Sequence, residues 1–353
     1  MIPEYSNKFM KYEAARLKDI SKVLGLSVST ISRALNDSYE ISEKTKKIVR
    51  EYAEKINYRP NPVAVSLREK RSRSIGVIIA EIANSFFSQI INGVESVANA
   101  KGYNVIITQS LESYEREVSN IDFLASRSVD GCLISVSTET NNYDHITRLH
   151  KRGFPFVCVD RVIDEMKTHK VSIDNFKGAY EATTELIKRG FKRIAMLGNA
   201  QNLSITQQRL SGYKKALSDA GHDVDDSIIK YCMHGGMIYD EVEQAMNEAM
   251  RLRNKPDAFF AASDKLTTNF VRYCTLKKIK IPDKLGLIGF SNLDLTDLLV
   301  PSLSVIRQPA FDMGRIAAEL LIKLIEAKRT PSDFETKVLP PELLIRDSSK
   351  KKR

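Results

Sequence analysis

The sequence has no tryptophan and only four cysteines, Cys132, Cys158, Cys232 and Cys274, too far apart to form a C-x-x-C pair. Three of the four fall in apolar runs, so they read as small core residues rather than a disulfide frame or a zinc site. No run approaches the roughly eighteen consecutive apolar residues that a membrane-spanning helix needs. The start, Met1-Ile2-Pro3-Glu4-Tyr5-Ser6-Asn7-Lys8, lacks the apolar stretch of a signal peptide. The expected location is therefore the cytoplasm, with no membrane partner. The histidines, His145, His150, His169, His222 and His234, are scattered and make no metal spacing, so neither metal nor cofactor is expected. No G-x-G-x-x-G follows the first strand-like run, and no G-x-x-x-x-G-K-[ST], H-E-x-x-H or G-x-S-x-G occurs. Nucleotide-cofactor enzymes and the common hydrolases lose their usual supports, and a non-enzymatic binder is expected.

The 353 residues suffice for two or three compact units. Their net charge of +10 is unevenly spread: residues 1–74 carry +7, Lys350 to Arg353 add +4, and the long middle sums to −1. A basic head on a nearly neutral body is the electrostatic footprint of a nucleic-acid-binding module joined to a ligand or oligomerisation domain. The terminal KKKR reads as a frayed tail.

Within the head, Leu17, Ile20 and Leu24 recur on one helical face before Gly25 interrupts the period. Ser27 is a natural N-cap for a second short helix with Ile31, Ala34 and Leu35 inward and Val28, Ser29, Ser32 and Arg33 outward. Ser42 can cap a third helix carrying Val49, Ala53 and Ile56. Three small stripes can close one core, and two short helices across a glycine turn make a helix-turn-helix. After Pro60, Asn61 can cap and Pro62 suits the first position of a further helix of about two turns, too short to hold in water alone.

The run from Leu17 to Asn36, with Ile41-Ser42 and Asn57-Tyr58-Arg59-Pro60-Asn61, resembles the head of a LacI/GalR family transcription regulator. The resemblance implies a dimer on double-stranded operator DNA, with the helix beginning near Ser27 in each major groove and hinge helices, Pro62 to Arg68, paired in the minor groove. Val28, Ser29 and Arg33 take the base-reading positions, Arg33 suited to a guanine edge and Val28 to a thymine methyl. Ser27, Thr30, Ser32, Asn36 and Tyr58 are expected as phosphate contacts or caps. In the hinge, Asn61, Ala64, Val65, Leu67 and Arg68 complete the expected DNA-binding set, with Leu67 as the wedge between base steps. Val65 departs from the polar or longer residue common at its position.

From Ser74 onward, short β-rich runs (75–80, 105–108, 132–135, 156–159, 194–197, 258–261 and 285–290) alternate with amphipathic segments such as 86–100, 180–189, 208–220 and 238–251. Continuous apolar strands with helical crossovers predict an α/β body of parallel sheets covered on both faces. In such sheets the ligand site gathers at the carboxyl ends of strands. Those ends are Glu81 to Phe87, Ser135 to Ser137, Asp160-Arg161, Gly198 to Thr206, Ser263-Asp264 and Ser291-Asn292.

The resemblance continues through Asn84-Ser85-Phe86-Phe87, Val159-Asp160-Arg161, Arg209 to Tyr213, Ala262-Ser263-Asp264, Ile288-Gly289-Phe290, Pro301 to Ser304, Gln308-Pro309 and Met313-Gly314. It implies a periplasmic-binding-protein-like domain of two doubly wound lobes around a cleft, crossed three times by the chain. The implied organisation is a flexible extension (1–15), a helix-turn-helix domain (16–60), a hinge helix and linker (61–73), an effector-binding and dimerisation domain (74–348) and a basic tail (349–353). Lobe one is expected from about 74–160 plus 291–321, lobe two from the remainder. The implied effector ligands are Asp160, Arg209, Ser263 and Asp264, with Phe86 and Phe87 as walls, then Gln308, Ser135, Ser291 and Asn292. Arg161 is either a ligand or a lobe–lobe salt bridge. Such groups suit a polyol, because carboxylates and guanidinium groups can each bond adjacent hydroxyls while an aromatic face covers the ring. Ser291 stands where the family usually has an acidic residue, and no heptad-bearing tail follows Arg346, so a homodimer without a zipper is expected. The implied function is a repressor controlled by a sugar-like effector. Its alternatives are a regulator using a non-sugar corepressor or a protein partner, and a solute-binding protein without DNA activity.

Overall fold

The computed structural model describes residues 15–59, 71–329 and 331–351. The chain divides into two compact units at Ser72/Arg73. Asn61, Ala64, Val65, Leu67 and Arg68, with the rest of the expected hinge helix and most of the N-terminal extension, lie outside the described residues.

The first unit is three helices, α1 (Leu17–Leu24), α2 (Val28–Leu35) and α3 (Glu43–Lys55). Gly25 ends α1 at φ +65°, a left-handed conformation that only a residue without Cβ adopts freely. Ser27 and Ser42 cap α2 and α3 by accepting from Thr30 N (3.1 Å) and Thr45 N (3.2 Å). Ile20, Ile31, Ala34, Val49 and Ala53 are buried at the centre, with Leu17, Leu24, Leu35, Ile56 and Tyr58 packed around them. The 3.6-residue spacing of these side chains in sequence is what lets three short helices share so small a core.

The second unit begins with β1 (Ser74–Ile79), α4 (Ser85–Ala100), β2 (Asn104–Gln109), α5 (Tyr114–Ser126), β3 (Cys132–Ile134), α6 (Asp144–Lys151), β4 (Phe156–Val159) and β5 (Lys170–Ile173). It continues with α7 (Asn175–Lys188), β6 (Ile194–Gly198), α8 (Ser204–Asp219), β7 (Ile229–Tyr231), α9 (Tyr239–Arg251), β8 (Ala258–Ala261), α10 (Asp264–Leu276) and β9 (Gly286–Phe290). β10 (Ser304–Arg307), α11 (Ala310–Glu326), β11 (Thr336–Leu339) and β12 (Glu342–Leu344) complete it. Two six-stranded sheets result, ordered β11-β5-β4-β3-β1-β2 and β12-β10-β9-β8-β6-β7. Among the described residues, all strand pairings are parallel except β10 with β12. β6, β8 and β9 are buried along their whole length, as parallel strands covered by helices on both faces must be.

In each sheet the strand order reverses beside the first strand of the lobe, β1 in one and β6 in the other. A crevice opens at such a switch point because the helices that follow the neighbouring strands depart to opposite faces. The two helices that carry lobe one, α4 and α11, approach so closely that a Cβ on Gly93 would sit 2.0 Å from Phe311 O, and one on Gly314 2.0 Å from Ile90 O. Only glycine permits that crossing.

The lobes divide elsewhere than the sequence suggests. β5 and β11 belong to the first sheet, whereas β10 and residues 291–307 belong with the second. The chain therefore crosses after Ile173, at Gln308 and between β11 and β12. β5, β10, β11 and β12 are short strands set by their pairing across the sheet, which the apolar runs alone do not reveal. The tail also differs from expectation. Ser348 and Ser349 are buried, Lys350 pairs with Asp347 (3.1 Å), and Lys351 donates to Gly190 O and Asp257 Oδ2 (both 3.1 Å) over the Phe191 ring. No helix among the described residues is long and apolar enough to cross a membrane.

Candidate ligand cleft and nucleic-acid interface

In the first unit, the capped start of α2 leaves Val28, Ser29 and Arg33 facing solvent while Ile31 and Ala34 face the core. Ser27 Oγ lies 2.8 Å from both Ser29 Oγ and Thr30 Oγ1, a local network that fixes the first turn. Asn36 closes the helix by donating to Ser32 O (2.6 Å), and Tyr58 packs on the small core with its hydroxyl pKa raised by burial. Arg33 is engaged by Glu40 in an exposed ion pair. Exposed pairs contribute only about 0–1 kcal/mol, so Arg33 can exchange Glu40 for a base edge at little cost. The arrangement is a helix of exposed hydrogen-bonding and apolar side chains on a rigid base, the geometry that fits a major groove.

In the second unit, the carboxyl ends of β1, β2, β4, β6 and β8 converge on a cleft between the lobes with about 510 Å³ of empty space, part of it open to solvent. Eight expected residues line it: Phe86, Phe87, Asp160, Arg161, Arg209, Ser263, Asp264 and Gln308. Asn84 caps α4, accepting from Phe86 N (2.9 Å), and Phe86 and Phe87 at the start of that helix are buried in the cleft wall with ring centroids 5.2 Å apart. Asp160 follows β4 with φ +65°, buried, and no described group donates a hydrogen bond to its carboxylate. Burial pushes its pKa up, while Arg161 and Arg209 pull the other way.

Arg209, on α8, is the centre of the lobe-two wall. Its Nε donates to Asn175 Oδ1 (2.8 Å), Nη2 to Gln308 Oε1 (3.1 Å) and Nη1 to Ala262 O. The guanidinium carbon lies 3.7 Å from the Phe290 ring centroid. Burial lowers its pKa to about 10, against the pull of Asp160, which still leaves it charged at neutral pH. Ser263 caps α10 through Leu266 N (3.3 Å) and donates to Gly235 O (3.2 Å). Asp264 has its pKa raised by burial, opposed by a hydrogen bond from Ser291 Oγ.

Arg161 forms a salt bridge within lobe one. It donates to Glu112 through both terminal nitrogens (2.7 and 2.8 Å) and to Val136 O (2.9 Å). Burial alone would lower its pKa, and Glu112 more than reverses that. The lobes touch at both rims, where Lys265 pairs with Glu81 (2.9 Å) and Asn202 donates to Thr138 O (3.0 Å).

Three expected ligands stand outside the lining. Ser135, directly after β3, is fully buried, and its hydroxyl has no hydrogen-bond partner among the described residues. Ser291 is turned to Asp264, and Asn292 is spent on the crossing, donating to Gln308 O and Gln89 Oε1 (both 2.7 Å) and accepting from Gln308 N (3.0 Å). Asn292 thus fastens the hinge instead of replacing a missing carboxylate. The lining also includes Glu81, Asn84 and Asn199, which lie in strand-end stretches already singled out. Glu112, Gly235, Met237 and Lys265 were not foreseen. Glu112 lies three residues beyond β2, and carrying the strand-end rule to that strand as well would have found it.

The sequence matches two family models: "Bacterial regulatory proteins, lacI family" over residues 16–61, and "Periplasmic binding proteins and sugar binding domain of LacI family" over residues 72–338. It is 30% identical over 338 residues to the HTH-type transcriptional repressor PurR of Vibrio atlanticus, covering 95% of this chain and 99% of that protein. Among solved structures it is similar to the transcriptional regulator CelR in complex with cellobiose (TM-score 0.70, 26% identity, 95% and 99% of the two chains). The lac repressor dimer bound to operator and the anti-inducer ONPF shares the fold (TM-score 0.78, 22% identity, 96% and 99%).

Proposed function

The chain belongs to the LacI family of bacterial transcriptional regulators, and from that premise we propose that it is a cytoplasmic homodimeric repressor of a near-palindromic operator, controlled by a sugar or sugar derivative in the cleft. Arg33, Val28 and Ser29 read bases. Ser27, Thr30, Ser32, Asn36 and Tyr58 set the register on phosphates, and Leu67 wedges the minor groove. Asp160, Arg209, Asp264 and Gln308 hold the effector's hydroxyls, with Phe86 and Phe87 against its C–H face.

The observation that carries this reading is the convergence of buried side chains from both lobes on one cleft, together with a separate unit whose capped helix presents Arg33 to solvent. The cellobiose bound by the CelR neighbour supports a sugar as ligand class. Effector binding favours one lobe arrangement and acts on the operator through the segment joining the two units. It shifts that equilibrium only by its differential affinity for the two states.

The test is to incubate full-length protein with fragmented DNA of its source genome at fixed salt and sequence what is retained, since phosphate neutralisation dominates non-specific affinity. Enrichment of a short palindrome, followed by release or tightening with sugars handled by the adjoining genes, is the expected result. If no sequence is enriched, with or without cell-extract metabolites, the reading is wrong.

A further inference from the structure

We propose that Glu112 makes the cleft exclude anionic ligands, so that its occupant is a polyol without phosphate or carboxylate; this rests on the reading of the cleft as the effector site. The lining holds four carboxylates, Glu81, Glu112, Asp160 and Asp264, against the three cations Arg161, Arg209 and Lys265. Each cation is already engaged. Lys265 reaches both oxygens of Glu81 (3.1 and 2.9 Å), Arg209 is held by Asn175, Gln308 and Ala262 O, and Arg161 closes a two-pronged fork on Glu112.

Acceptors are left over beside these engaged cations. Asn199 Oδ1 is buried with no hydrogen-bond partner, and only burial and neighbouring charges act on the Asp160 carboxylate, with no hydrogen bond from a described group. Among the fully buried side-chain atoms of the described lining, the unpartnered donor is Arg161 Nε, and it faces Asp160 at 4.0 Å. A ligand that satisfies such a site brings O–H or N–H hydrogens. An anion would have to pull Arg161 away from Glu112, stranding a buried carboxylate, and would still confront Asp160.

Glu112 is also built to stay. Leu111 and Glu112 take left-handed φ of +49° and +63°, a costly conformation for two successive non-glycine residues. The turn aims the carboxylate inward, where it also accepts from Thr138 N (2.9 Å). Removing its charge while keeping its shape would leave one prong of the Arg161 fork without an acceptor and its charge uncompensated, open to a phosphate oxygen.

The experiment compares full-length parent and E112Q by calorimetric titration with inorganic phosphate and with glucose 6-phosphate, folding being checked by circular dichroism. The expected result is no cleft binding of either by the parent, and on the order of tenfold or greater tighter binding by E112Q, lost again when R161M is added. A folded E112Q that gains nothing, or a parent that binds either anion as tightly as E112Q, overturns the proposal. E112A stands in if E112Q does not fold. If neither folds, thermal shifts of the parent with glucose against glucose 6-phosphate and ribose against ribose 5-phosphate decide. A phosphorylated member that stabilises more than its partner overturns the exclusion, and no stabilisation by either phosphate upholds it. The effector reading fails by a separate result, an effector response unaltered by Arg209→Ala, which leaves the phosphate measurement untouched.

Discussion

In the head, the side chains that would meet a partner stand in solvent on a helix held by five buried apolar residues, whereas in the cleft they are buried and several are already bonded to one another. Arg33 and Arg209 make the difference concrete. Arg33 has 59% of its side-chain surface exposed and a single exposed carboxylate partner. Arg209 is 3% exposed, donates to three acceptors and lies over an aromatic ring. An exposed guanidinium can trade partners freely and so suits reading a sequence. A buried, fully engaged one is a fixed part of the wall, and a ligand must fit around it.

The largest break in that comparison is expected from Ile31→Ala, which empties the centre of a very small core. The cost should be about 2–5 kcal/mol, enough to unfold the head while the second unit keeps its own melting transition. Operator binding would then fall by on the order of a hundredfold, read by gel shift beside differential scanning calorimetry. Arg209→Ala should abolish the effector response and leave operator binding intact, since Asn175 Oδ1 and Gln308 Oε1 lose their donor inside the cleft. Titrating operator release with effector checks it, and an unchanged dose–response would move the pocket elsewhere. Arg33→Ala should leave both melting transitions in place, cost roughly 1–3 kcal/mol of operator affinity and relax one base position, measured on a panel of operator variants.

The smallest effect concerns pH. Burial raises the pKa of Asp264, so its carboxylate costs stability above that raised value and costs nothing once pH falls below the ordinary range of an aspartate, where both folded and unfolded forms are protonated. Asp264→Asn, which still accepts from Ser291, should therefore raise the melting temperature of the second unit at neutral pH. The gain should vanish on acidification, and a gain independent of pH would point to packing instead.

Much of the architecture could be read from the chain. Helical spacing around Ile20, Ile31 and Val49, the caps at Ser27 and Ser42, and the apolar runs that became β1, β3, β4, β6, β8 and β9 are local signals. They are local because one element's own residues decide which face is buried. The strand-end rule reached most of the cleft for a similar reason, since a parallel sheet delivers all its carboxyl ends to one edge. It failed at Ser291 and Asn292, which turn to neighbours within the protein, and at Ser135, whose hydroxyl is buried away from the cleft without a hydrogen-bond partner. It also missed Lys265, whose partner Glu81 lies across the cleft.

The sequence by itself determined the two-part organisation, the capped helix that carries Arg33 and the α/β class of the body, because each rests on periodicity and charge along a short stretch. Only the tertiary structure decided where the lobes divide and which polar groups remain free for a ligand. β5 and β11 pair across 166 residues of chain, and Glu112 meets Arg161 across 49. Whether a buried donor or acceptor is available depends on every group within about 3 Å of it, and no stretch of sequence records that neighbourhood.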